Sequence, residues 1–233
     1  MKPKPLKYTE PEIVPTRDGS NTLRVSSLDE TYHSTHGALQ ESLHVFIKEG
    51  LHFCTNSGLK EVKVFEMGFG TGLNAFLTLI ESIKDRSLRI EMHSIEKYPV
   101  FPETILNMEF QLLDSLAPWK NEFEDLIHAS WNEMVSIKEN FEINKISEDF
   151  FTSELPSNYY DLIYYDAFGA RAQEAMWREE AFAICAEIVK PGGVLVTYAS
   201  KGSARRALEK VGFAVENIPG PPGKREMMRA TYK

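Results

Sequence analysis

The sequence predicts an α/β fold, a mostly parallel sheet of seven strands with helices on both faces, preceded by a β-hairpin. Short runs rich in β-branched and aromatic residues alternate with stretches whose apolar residues recur at helical spacing. A glycine-rich turn, Gly68-Phe69-Gly70-Thr71-Gly72, joins one such run to one such stretch. The chain has 233 residues, 42% of them hydrophobic, enough for one α/β domain with an appendage or for two small domains.

Each element follows in order. After a proline-rich start that is expected to be loose, residues 12–27 hold two β-patterned runs around Arg17-Asp18-Gly19-Ser20 and read as a hairpin. Leu39, Leu43, Phe46, Ile47 and Leu51 predict an amphipathic helix over 36–50, ended by Gly50. Residues 1–55 are thus expected to form a hairpin and helix extension packed on a core of residues 56–233. In that core, strand 62–66 and helix 72–84 flank the glycine turn, and strand 89–95 and a helix over 102–114 follow. A polar helix is expected within 119–131, then strands 134–137 and 141–146. Strand 160–165, helix 173–189 and a Pro191-Gly192-Gly193 turn into strand 194–198 continue the alternation, and an edge strand closes the chain. The βαβαβ order implies parallel pairing.

Composition removes several classes. The mean hydropathy is -0.30, and no stretch approaches the roughly 20 apolar residues of a membrane span. Met1-Lys2-Pro3-Lys4-Pro5 lacks the apolar core of a signal peptide, so a cytoplasmic location is expected. Cys54 and Cys185, far apart and in apolar helical contexts, read as reduced core thiols. Six histidines include only the weak pair His33 and His36, so no metal site is expected. No GxSxG or GxxxxGK[ST] pattern occurs. The net charge of -8 argues against a broad sheath of nucleic-acid contacts. Yet Lys201, Arg205, Arg206, Lys210, Lys224, Arg225, Arg229 and Lys233 face only three glutamates at the C-terminal end. That is a local basic patch, or a solvated helix face followed by an ordinary edge strand.

The glycine turn carries the strongest functional signal. Glu66 ends the strand, three alternate glycines let backbone approach a ligand, and Leu73-Asn74-Ala75-Phe76 opens a helix. A dinucleotide fingerprint needs glycine at the sixth position, which here is Leu73, so the spacing favours S-adenosylmethionine. In open α/β sheets ligands lie beyond the carboxyl ends of strands. Glu96 there can accept from both ribose hydroxyls, and Asp149 can accept from an adenine amino group while Phe150 covers the ring. Asp166, after the fourth strand, is placed to hold an attacking amine in line with a methyl group and to take its proton. Phe168 can stack on a planar substrate. Taken singly, each carboxylate is also an ordinary cap or turn former.

Several segments resemble the methyltransferase domain of the bifunctional tRNA 5-methylaminomethyl-2-thiouridine biosynthesis proteins. They are Leu28-Asp29-Glu30-Thr31-Tyr32-His33-Ser34, Gly37-Ala38-Leu39-Gln40-Glu41-Ser42, Gly68 to Asn74, Asp166-Ala167-Phe168 with Met176-Trp177, and Gly223-Lys224-Arg225-Glu226-Met227. The resemblance runs from about Thr22 to the C-terminus. It implies a Rossmann-like class I methyltransferase that uses S-adenosyl-L-methionine to methylate the aminomethyl nitrogen of 5-aminomethyl-2-thiouridine at the tRNA wobble position. On this resemblance Glu66, Gly68, Gly70, Thr71, Gly72, Asn74, Glu96, Asp149, Phe150 and Asp166 belong to the cofactor site. Asp166 would be the catalytic group, and Tyr32, Phe168, Arg205, Lys224 and Arg225 would meet the tRNA. Two-domain members carry an oxidase that makes the amine, so this chain, ending at Lys233, is expected to receive its substrate from a separate enzyme. It departs from the pattern at Gly169-Ala170, where Ala-Pro is expected, at Glu174 for a proline, and at His33 for an aromatic residue. Two other readings compete. One is an aminopropyltransferase of the spermidine synthase kind, which shares the hairpin and the Asp29 to His33 stretch. The other is a non-catalytic module that binds cofactor or RNA.

Overall fold

The computed structural model describes residues 11–233; the proline-rich start, expected to be loose, lies outside the described residues. Strands β1 (Glu12–Pro15) and β2 (Asn21–Val25) pair antiparallel, and β3 (Glu30–Thr31) adds a third strand to the expected hairpin. The turn is tied by Asp18, whose Oδ1 accepts from the Thr16 hydroxyl at 2.7 Å and the Ser20 N–H at 3.1 Å.

Helix α1 (Ala38–Ser42), a π-helical segment Leu43–His52 and α2 (Phe53–Asn56) run on without a break, which corrects the expected end at Gly50. Gly50 is a contact residue here. A Cβ on it would lie 3.0 Å from Val196 Cγ2 and 3.2 Å from Tyr164 Cε1, so the missing side chain lets the helix settle on the sheet.

The main sheet has eight strands in the order β10-β11-β9-β8-β4-β5-β7-β6. Their ranges are β4 (Glu61–Met67), β5 (Arg89–Ile95), β6 (Met134–Lys138), β7 (Phe141–Ile146), β8 (Tyr160–Tyr165), β9 (Val189–Thr197), β10 (Phe213–Pro219) and β11 (Glu226–Tyr232). The five from β9 to β7 are parallel, and both edges are antiparallel. One strand more than expected is present, because the C-terminal end forms the pair β10 and β11 where a single edge strand was read. Strand β9 also begins earlier than expected, with Pro191-Gly192-Gly193 inside it as a register shift between its pairings to Tyr160 and Leu162.

Helix α3 (Leu73–Lys84) buries every residue from Leu73 to Ile80, as fits a helix that is apolar nearly all round. The helix expected over 102–114 is cut short at α4 (Pro102–Leu106), and Glu109 turns the chain with φ 62°. Helix α5 is Lys120–His128. The helix expected over 173–189 is a short 3-10 turn, Glu174–Trp177, then α6 (Glu179–Ile188), because Arg178 is extended between them. Helix α7 (Gly202–Lys210) precedes β10. Alternate residues of β8 feed two cores, Leu162 and Tyr164 on one sheet face, Ile163 and Tyr165 on the other. Fully burying one such large side chain contributes about 1.5–3 kcal/mol. Both cysteines are free and buried, and burial pushes the Cys54 thiol up to about 12. Among the described residues no helix is long and apolar enough to cross a membrane.

Candidate active site

The glycine turn leaves β4 at the sheet centre. The Gly68 and Phe69 N–H groups both donate to Ile95 O, at 3.0 and 3.1 Å, folding the turn across the end of β5. Two of its glycines are required. Gly72 caps α3 at φ 74°, and a Cβ there would meet Ile127 Cδ1 and Phe69 Cζ at 2.9 Å. Gly70, at φ 53°, lies under Tyr32, whose Cδ1 would sit 3.1 Å from an added Cβ. Thr71 is buried, and its hydroxyl meets His33 Nε2 at 3.3 Å. The Thr22 hydroxyl accepts from the His33 N–H at 3.0 Å and has its own proton free for Nδ1 at 3.2 Å, which leaves Nε2–H to serve Thr71. Burial holds His33 down to about 4, so the ring is neutral and fastens the hairpin to the glycine turn.

Beyond the carboxyl ends of β4, β5 and β8 a cavity opens. Gly68, Gly70, Thr71, Asn74, Glu96 and Tyr98 line it together with Tyr32, Asp166, Phe168 and Gln173. This is the place where the strand order reverses about β4. Glu96 accepts from the Gly70 N–H at 3.2 Å and the Tyr98 N–H at 2.9 Å, which spends only part of its capacity. Burial raises its pKa above the usual carboxylate range. Asp166 Oδ2 accepts from Asn74 Nδ2 at 2.9 Å. Burial, then the nearby Glu41 charge, push Asp166 up to about 7, against the pull of Asn74 and Lys224.

The segment after Asp166 is pinned from three sides. The Tyr198 hydroxyl donates to Ala167 O at 2.8 Å, Trp177 Nε1 to Phe168 O at 2.7 Å, and the Phe168 N–H to Gln173 Oε1 at 2.9 Å. Ala172 and Gln173 N–H groups close the Gly169-Ala170 turn on Gly169 O. Tyr32 and Phe168 meet edge to face, with centroids 5.0 Å apart. A neighbouring cavity is lined by Gly169, Ala170, Tyr198, Lys201, Lys224 and Arg225. In this second cavity Lys224 donates to Glu41 Oε1 at 2.6 Å, with its Nζ 3.9 Å from the Tyr198 ring centroid.

Not every expected residue is gathered. Glu66 is fully buried and outside the cavity wall. Asp149 is held by Lys97, at 2.5 Å, and by the Phe151 N–H, and neither it nor Phe150 lines the cavity. Phe150 is buried against Phe65, centroids 6.0 Å apart, because it turns into the core on the far sheet face. Arg205 lies on α7, bonded to Glu209 and to Val215 O, and joins neither cavity. Sequence reasoning passed over Gln173, Tyr198 and Glu41. Only Glu41 carried a signal, as part of a segment matched by resemblance. Among the described residues no group of three or more His, Cys, Asp or Glu side chains is arranged to hold a metal.

Residues 116–233 match the sequence model of a family described as S-adenosyl-L-methionine-dependent methyltransferase. The chain belongs to that family. Among its relatives, the bifunctional tRNA 5-methylaminomethyl-2-thiouridine biosynthesis protein MnmC of Pseudomonas aeruginosa is 29% identical over 214 residues, 88% of this chain and 32% of the relative. The protein of that name from Leptospira borgpetersenii is 28% identical over 216 residues, with coverage of 88% and 32%. The methyltransferase thus spans about a third of the length of these relatives. A solved structure of MnmC2 from Aquifex aeolicus superposes with a TM-score of 0.73 at 25% identity, covering 98% of this chain and 72% of the other. Spermidine synthase from Thermotoga maritima superposes at 0.55 with 14% identity, covering 100% and 72%, a likeness of fold alone.

The residues present suit S-adenosylmethionine, the cofactor of this class. Positive-φ glycines leave a cradle that side chains would fill, and the acidic groups Glu96 and Asp166 complement a ligand carrying a sulfonium and an ammonium.

Proposed function

We propose that this methyltransferase modifies the aminomethyl nitrogen of 5-aminomethyl-2-thiouridine at the wobble position of tRNA, giving 5-methylaminomethyl-2-thiouridine. The observation that carries this reading is Asp166, which lines one cavity with the glycine turn and the Tyr32–Phe168 pair. The relatives are named for the biosynthesis of this nucleoside in tRNA, which supports the substrate.

S-adenosylmethionine, when bound, supplies an already activated methyl group. Gly68, Gly70, Thr71, Asn74 and Glu96 hold it in this reading, with Gly72 setting the turn. Asn74 fixes one oxygen of Asp166 and leaves the other to accept from the amine, so the nitrogen lone pair points at the methyl group. The same carboxylate stabilises the ammonium product and takes its proton. Phe168 stacks on the base, with Tyr32 edge-on to Phe168, and Lys224 and Arg225 in the adjoining cavity meet backbone phosphate. Residues 1–55 serve as an extension on the catalytic core of 56–233. The tRNA reaches the enzyme in the cytoplasm, after another enzyme has formed the amine.

The test uses methyl-labelled cofactor with tRNA that carries or lacks the wobble aminomethyl group. Label is expected only in the first. Equal labelling of both, or transfer to a polyamine from decarboxylated cofactor, overturns the assignment; the second outcome would favour the spermidine synthase reading.

A further inference from the structure

Of the acidic residues expected to hold the cofactor, Glu66 stands apart. It has 0% exposure and lies below the cavity, outside its wall. Its Oε2 accepts from the Ser94 hydroxyl at 2.5 Å, and its Oε1 is buried with no partner. The groups facing it are Ser94 of β5 with Glu96 just beyond it, the Tyr164 phenol of β8 with Asp166 just beyond it, and Asn74 of α3. Among the described residues none of these is a cation. Asn74 lies beside the Glu66 carboxyl and donates through Nδ2 to Asp166, and its own Oδ1 is also buried without a partner.

An ionised Glu66 would place a desolvated charge beside two further carboxylates, with nothing to offset it. It would also leave two orphaned oxygens, both acceptors, in the same buried spot. One proton on Glu66 removes the charge and turns one of those acceptors into a donor. We propose that Glu66 is a neutral carboxylic acid beneath the cavity floor that fixes Asn74 and, through it, Asp166; it is a positioning residue and not a ligand of the cofactor. Burial pushes this carboxyl up to about 8, with the Asp166 and Glu96 charges adding to the effect. The acid is therefore intact at neutral pH and ionises above about pH 8, where its new charge disturbs the Asn74–Asp166 pair.

The importance for turnover rests on the role given to Asp166; the protonation state does not, so the two are tested separately. Infrared spectra of the full chain, without RNA, should contain a protonated-carboxyl C=O band at pH 7 that fades above pH 8 and is missing in Glu66→Gln. Cofactor affinity, read by calorimetry, should change less than about threefold in Glu66→Gln. In turnover assays Glu66→Gln should stay well above Glu66→Leu and lose the alkaline fall seen in the wild type. A missing band overturns the proposal whether or not Glu66→Leu folds, and so does a Glu66→Gln protein that binds cofactor more than about tenfold more weakly.

Discussion

The wall proposed for the cofactor is nearly continuous, one strand end, one turn and the first turn of α3, whereas the rest of the cavity lining is gathered from both ends of the chain. In the first, backbone N–H groups of Gly68 and Phe69 find Ile95 O, and positive-φ glycines set the shape. In the second, side-chain bonds from Asn74, Trp177 and Tyr198 and to Gln173 hold Asp166, Ala167 and Phe168, and Tyr32 packs edge to face on Phe168. The difference implies a division of labour: damage to the glycine turn should weaken cofactor binding, and damage opposite should slow transfer or loosen the RNA.

Asp166→Ala sets the two walls furthest apart. Turnover should fall about a thousandfold, within the usual range for a positioned acid–base group, while cofactor affinity by calorimetry stays within a few-fold. Unchanged turnover would remove Asp166 from its role. Gly70→Val attacks the other wall, because its φ of 53° and the nearby Tyr32 ring both oppose a side chain. Strain of about 1–3 kcal/mol should weaken cofactor binding roughly tenfold or more. Normal affinity in that variant would mean that the turn does not touch the cofactor. Phe168→Ala should raise the KM for tRNA by about tenfold, the scale of one lost base stack, with cofactor binding unaltered; a change in cofactor affinity instead would blur the division.

Protonation links the walls. Asp166, at about 7, is largely neutral in the cofactor-free protein at pH 6 and charged at pH 8. A cationic cofactor should therefore bind more tightly as pH rises from 6 to 8 and release a proton on binding at pH 6.5, measurable by calorimetry in buffers of different ionisation enthalpy. Flat affinity across that range would contradict the buried carboxyl. The sign for stability is opposite. The unfolded chain gives up these protons near the ordinary carboxylate values of about 4, while folded Asp166 and Glu66 keep theirs to about 7 and about 8. Their contribution to folding is therefore undiminished below pH 4, declines as pH rises to about 8, and levels off beyond. The thermal midpoint of the cofactor-free protein, measured across this range, should show that decline. The smallest effect belongs to Arg205→Ala, which breaks an exposed pair with Glu209. It should alter stability by less than about 1 kcal/mol and move neither cofactor affinity nor KM; a large rise in KM would restore Arg205 to the RNA surface.

The same contrast explains what could be read in advance. Strand 160–165 was legible as a short, mostly apolar run bounded by turns, and strand 89–95 by its alternation, with Ile90 and Met92 buried between Arg89, Glu91 and His93. The glycine turn was legible because its chemistry is local. Helix ends were not: Gly50 resembles a stop, and only its fit against Tyr164 and Val196 shows it to be a contact. Glu66 was expected at the cofactor because it precedes the glycines; β4 alternates its side chains and turns this one inward beside Ser94, outside the cavity lining. Phe150, expected over the adenine, packs instead against Phe65, and nothing in one sequence says which side of the sheet a residue after a strand will occupy. Gln173 and Tyr198 hold the Asp166 segment from far along the chain, and no spacing rule connects them.

The central claim is that Asp166 receives the amine while the glycine turn holds the methyl donor. A structure of the enzyme with demethylated cofactor and a tRNA anticodon stem bearing the methylaminomethyl group measures this as one distance. The account predicts the product nitrogen within about 3.2 Å of the Asp166 carboxylate, opposite the glycine turn. A nitrogen well outside that reach, with Asp166 bonded only to Asn74, would contradict it.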